Sequence, residues 1–139
     1  MRFMIIVKAT ADTEAGRFPP EKEKQQLFSE MAQYHEELQK AGALLDGSGL
    51  KPSSCGWRIQ YGSGEPVIMD GPFTETKEII AGYTLIQVES REEALEWSRR
   101  FPNPAGRGKP AQIEVRQLYE LEDFGPVDAA DRFREMGLK

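Results

Sequence analysis

The alternation of apolar and polar positions divides the chain into strand-like and helix-like stretches. Phe3 to Val7 is apolar at every position, which predicts a strand covered on both faces rather than one. Ala9 to Phe18 is polar and irregular, with Gly16 as a breaker, and is expected to be a loop over a pocket. Pro19-Pro20 then opens a helix, because a proline in the first turn loses no needed N–H. Leu27, Met31, Tyr34, Leu38 and Ala41 recur at steps of four and three, giving one apolar stripe, and Gly42 is the stop signal. Glu36 and Lys40 are spaced for an i,i+4 ion pair on the wet face.

Ala43-Leu44-Leu45 starts a second strand, which Asp46-Gly47-Ser48-Gly49 is expected to break. Trp57, Ile59 and Tyr61 alternate with Arg58 and Gln60, a turn is expected over residues 62–65, and Pro66 to Met69 returns as the other arm of a hairpin. Tyr83 to Val88 is another largely apolar strand. Ser90-Arg91-Glu92-Glu93 has capping-box spacing, and its helix places Ala94, Trp97, Ser98 and Phe101 on one side, with Glu96 and Arg100 paired outside. Pro102 ends that helix, Asn103 to Pro110 is a Gly/Pro loop, and Gln112 to Leu121 alternates as the last strand. Asp128 to Met136 is predicted as a short tail helix.

With the hairpin set aside, the order is βαββαβ, the ferredoxin-like arrangement of an α+β fold. Two helices cover only one face of such a sheet, yet the first strand is apolar on both. A second copy of the same sheet is the simplest cover, so a homodimer with sheets packed face to face is predicted.

Composition adds limits. The 139 residues fit one domain that needs neither disulfide nor metal to hold its core. The net charge of −5 argues against non-specific binding to nucleic acid or an anionic membrane. Cys55 is alone and the N-terminal apolar run is too short for a signal peptide or a membrane span, which predicts a cytoplasmic protein.

The densest run of special residues is Asp70-Gly71-Pro72-Phe73-Thr74-Glu75-Thr76-Lys77-Glu78. With Gly82-Tyr83 it resembles the signature of the DGPF proteins within the YCII-related family, whose usual form has Ala where Thr74 stands. Lys40-Ala41-Gly42, Gly49-Leu50 with Pro52, Glu93-Ala94-Leu95-Glu96-Trp97 and Ile113-Glu114-Val115-Arg116 carry the same resemblance. It divides the chain into a YCII/DGPF-like domain over residues 1–121 and a tail over 122–139. It implies a dimeric α+β barrel of ferredoxin-like type and no particular reaction. A His-Asp pair suggested as an active site in YCII-type relatives places its histidine further from the glycine that ends the helix. The matching turn here holds Met31, so that role is not carried to His35.

Asp70, at a strand end before Gly71-Pro72, is the candidate general acid or base for a small carbonyl or aromatic substrate. The plainer alternative is an Asx residue accepting turn N–H groups. Phe73 and Tyr83 are candidate walls of a ligand pocket and Lys77 a candidate anion contact, against packing and a solvated face respectively. His35 is the only histidine and reads as a boundary residue of its helix, so no two-histidine metal site can be built. Gly106-Arg107-Gly108-Lys109-Pro110 lacks the rest of a phosphate-binding loop, and no cofactor is predicted. Three readings remain: a homodimeric small-molecule-binding or regulatory module, an enzyme acting through Asp70, and a purely structural interaction domain in which the motif locks the dimer.

Overall fold

The sheet at the centre of the molecule has the strand order β2-β5-β1-β6, with every neighbouring pair antiparallel. The computed structural model describes residues 1–62 and 64–139. In chain order the elements are β1 (Arg2–Lys8), α1 (Ala11–Glu14), α2 (Glu21–Lys40), β2 (Leu44–Gly49), β3 (Trp57–Gln60), β4 (Val67–Asp70), β5 (Ile80–Gln87), α3 (Arg91–Arg99), β6 (Ile113–Gln117) and α4 (Ala130–Glu135). This is the ferredoxin-like α+β arrangement, with β3 and β4 inserted as a separate two-stranded hairpin. The four-stranded sheet is open within one chain and does not close into a barrel.

The core lies between the sheet and helices α2 and α3. Phe3 and Ile5 of β1, Ile86 of β5, Tyr34 and Leu38 of α2, and Ala94 and Trp97 of α3 are all buried. Ile5, Leu38 and Ile86 have no exposed surface, and each contributes about 1.5–3 kcal/mol by leaving water. The Tyr34 hydroxyl donates to the Trp97 carbonyl at 2.8 Å, which satisfies a polar group inside the core. Burial pushes the Tyr34 phenol up to about 12, against a smaller opposite pull from Arg100.

On the other face of β1, Met4 and Ile6 stand opposite Leu85 and Tyr83 of β5 and are half-buried in the single chain. The expectation of a strand covered on both faces is met on the helix side alone within the single chain.

Several local expectations change. The 9–18 loop contains α1, held by a reciprocal Thr10–Thr13 cap. β2 runs on through Gly47 and Gly49, because both pair with β5. Gly82 explains why: a Cβ there would lie 3.0 Å from the Ser48 carbonyl oxygen, so the two strands approach closely. At α3 the Ser90 hydroxyl accepts from the Glu93 N–H at 3.1 Å, while the Glu93 carboxylate accepts from Glu89, one residue before the expected partner. Arg100 pairs with Glu37 of α2 at 2.7 Å, and it is Arg99 that lies near Glu96. Ser63, within the expected 62–65 turn, lies outside the described residues.

Candidate functional site

The apolar stripe of α2 serves two ends. Its C-terminal half puts Tyr34 and Leu38 into the core. Its N-terminal half, with Leu27, Phe28 and Met31, instead lines a cavity of about 450 Å³ between the helix and the β2–β5 edge of the sheet. Val7, Leu44, Phe101 and Pro104 complete apolar walls. The volume falls within the roughly 300–1,000 Å³ of small-molecule sites.

His35 and Thr84 are the polar groups at the inner end. The imidazole Nδ1 lies 2.7 Å from the Met31 carbonyl oxygen one turn back, and since a carbonyl only accepts, Nδ1 carries the proton. In the neutral imidazole Nε2 is then an acceptor, and the Thr84 hydroxyl lies 2.9 Å from it. Thr84 is 3% exposed, so the histidine is what satisfies its hydroxyl. Gly47 faces the pair from β2: a Cβ there would stand 3.5 Å from the Tyr83 carbonyl oxygen, 3.6 Å from His35 Nε2 and 3.7 Å from Thr84 Oγ1. With the ring nitrogens and the Thr84 proton engaged, this floor offers a ligand the lone pairs of Thr84 Oγ1, to which a ligand hydroxyl can donate.

A second cavity, of about 540 Å³, adjoins the first and shares Thr13, Leu27, Phe28, Gly49, Ala81 and Pro104 with it. Its far walls come from the segment around α1 and from the Asn103–Pro110 loop. Asn103 shapes that loop by donating to the Lys109 carbonyl and accepting from the Ala105 N–H. Arg17, Lys51 and Lys109 line this chamber, and Asp12 is its one acidic wall residue.

The residues singled out from the sequence lie elsewhere for the most part. Asp70 is exposed at the end of β4, directly opposite Trp57, and lines neither chamber. Gly71 is fixed by space, since a Cβ would fall 1.9 Å from the Ser53 carbonyl oxygen. The Phe73 N–H donates to Ser53 Oγ at 3.0 Å, and its ring carries the Arg58 guanidinium 3.8 Å from the centroid. Ser53 in turn donates through both its N–H and its hydroxyl to the Glu14 carboxylate. The motif thereby ties the hairpin to the segment that roofs the cleft. Lys77 is exposed. Tyr83 belongs to the lining, but strand alternation places its ring on the opposite sheet face from Thr84. There its hydroxyl donates to Asp46 at 3.1 Å, and that carboxylate raises the phenol above its ordinary value.

From the sequence, His35 reads only as a boundary residue of its helix. The signal that would have joined it to a site is Thr84, a hydroxyl inside an otherwise apolar strand. Among the described residues no group of three or more His, Cys, Asp or Glu is placed to hold a metal ion. Among them, too, no helix is long and apolar enough to cross a membrane.

Comparison with known proteins gives three likenesses. The sequence profile of the YCII-related domain matches residues 1–121. An uncharacterized protein of Rhizobium meliloti (strain 1021) is 31% identical over 96 residues, which cover 69% of this chain and 76% of that protein. Among solved structures, the chain is similar to 5-chloro-2-hydroxyhydroquinone dehydrochlorinase from Burkholderia phenoliruptrix AC1100, in complex with 2,5-dihydroxybenzoquinone. The TM-score is 0.43 and the identity 12%, with 88% of this chain and 98% of that one covered.

Proposed function

We propose that this protein, which belongs to the YCII-related family, is a small-molecule-binding module whose ligand lies in the cleft between α2 and the β2–β5 edge. The observation that carries the reading is the His35–Thr84 pair at the floor of a largely apolar cavity: a few placed polar groups in an apolar chamber are how small-ligand sites set orientation. The test is a ligand-observed NMR screen of small apolar and aromatic compounds against the wild type and Met31→Trp, which fills the cleft. Compounds that bind the wild type and are lost from the variant support the reading. Binding that is indifferent to Met31→Trp, or a screen with no binders, overturns it.

A second reading concerns the hairpin. Trp57, Ile59 and Ile68 share one of its faces, and their exposures are 62%, 42% and 66%. A two-stranded ribbon with four-residue strands is marginal alone, and among the described residues no ladder joins it to the main sheet. A second copy of the chain, packed on this face and on the Met4–Ile6 side of the sheet, gives both a cover. Asp70 stands on the same hairpin face as Trp57, so the partner copy would also supply the wall that an acid–base role for Asp70 requires. Sedimentation should then show a dimer that Ile68→Lys converts to a monomer. A wild type that sediments as a 15.7 kDa species at micromolar concentration removes both the dimer and that role for Asp70.

A further inference from the structure

Charge is distributed unevenly along the cleft. The inner chamber has no ionised carboxylate, lysine or arginine among its lining residues. The second chamber, which adjoins it through shared walls, is lined by Arg17, Lys51 and Lys109, with Asp12 as the one carboxylate among the described lining residues. The chain as a whole carries a net charge of −5, so a cationic chamber runs against its overall balance.

Two of these cations are partly answered. Arg17 lies 3.0 Å from Asp12 and Lys109 lies 3.2 Å from Glu23, both in exposed pairs that hold their partners weakly. Lys51 is exposed and, among the described residues, has no carboxylate within salt-bridge distance. An apolar chamber that opens onto such cations fits one kind of molecule: an apolar body with a single anionic end.

Building on the small-molecule reading above, we infer that the ligand is an amphipathic carboxylic acid. Its hydrocarbon or aromatic body lies along Leu27, Phe28 and Met31, and its carboxylate lies at the Lys51–Lys109 end. Beside the exposed Lys51 and Lys109 side chains the carboxylate keeps part of its hydration and gains charge-assisted hydrogen bonds. The far end of the body approaches the His35–Thr84 floor, where a hydroxyl substituent would donate to Thr84 Oγ1.

Isothermal titration with octanoate, octan-1-ol and octylammonium at pH 7.5 tests the assignment, because the three probes share one body and differ in charge. Octanoate should bind about tenfold more tightly than octan-1-ol, the gain expected of one charge-assisted contact, and octylammonium more weakly than either. Lys51→Gln should bring octanoate to within about threefold of octan-1-ol and leave the alcohol unchanged, and Met31→Trp should abolish binding of both. Equal binding of octanoate and octan-1-ol, or a preference for octylammonium, overturns the carboxylate assignment and leaves the cleft reading standing. An octanoate preference that survives both Lys51→Gln and Lys109→Gln overturns it as well. If none of the three probes binds, both readings fall.

Discussion

The two halves of α2 carry the same apolar stripe and meet opposite fates. Around Tyr34 and Leu38 the stripe is pressed against Trp97 and the sheet and is fully enclosed. Around Leu27 and Met31 it borders a cavity. Helical periodicity says which side of a helix turns away from bulk water. It does not say whether protein or a ligand takes the water's place. That depends on what lies opposite. The C-terminal half faces Phe3, Ile5 and Ile86, and the N-terminal half faces Gly47, Gly49 and Gly82, which have no side chains to fill the gap.

Substitution along the stripe measures the contrast. Leu38→Ala should cost about 2–5 kcal/mol, because its site is closed on every side and cannot collapse. Chemical denaturation reads this, and a loss below about 1 kcal/mol would mean that the enclosed half is not enclosed. The next effect appears at alkaline pH. Folded Tyr34 keeps its proton up to about 12, whereas the unfolded chain releases it near the ordinary value of 10. Its contribution is therefore intact below pH 10 and is lost as pH rises from 10 toward 12, on the order of 2–3 kcal/mol in total. Tyr34→Phe should lessen the alkaline decline, and an unchanged pH profile in that variant would count against burial as its cause. The smallest effect belongs to the cleft. Leu27→Ala should change stability by less than about 1 kcal/mol, since its side chain already borders open space. A loss as large as that of Leu38→Ala would show that the cavity wall is core after all.

Much of the fold was legible because its signals are local. Pro19-Pro20 and Gly42 bracket α2, Ser90 caps α3, and the alternation of Trp57 to Tyr61 marks the hairpin. The course of β2 was not legible. Asp46-Gly47-Ser48-Gly49 has the composition of a turn, and only its pairing with β5 at Gly82, 33 residues beyond Gly49, makes those glycines an advantage. The motif from Asp70 to Glu78 was visible as a unit, yet its visibility comes from architecture. Gly71 has no room for a side chain beside Ser53, and Phe73 is tied to the same residue through its backbone. The cleft was hidden for a related reason. Its polar floor joins residues 49 positions apart, each ordinary in its own neighbourhood.

Gly47 has one more consequence. A methyl group there would meet its three nearest atoms at ordinary contact distances, so the sheet has no objection to it. What it would remove is length, because the added carbon stands in front of His35 and Thr84. The residue at this position acts as an adjustable stop: each carbon added shortens the longest molecule the cleft admits, while the ring, the hydroxyl and the strands around them stay where they are.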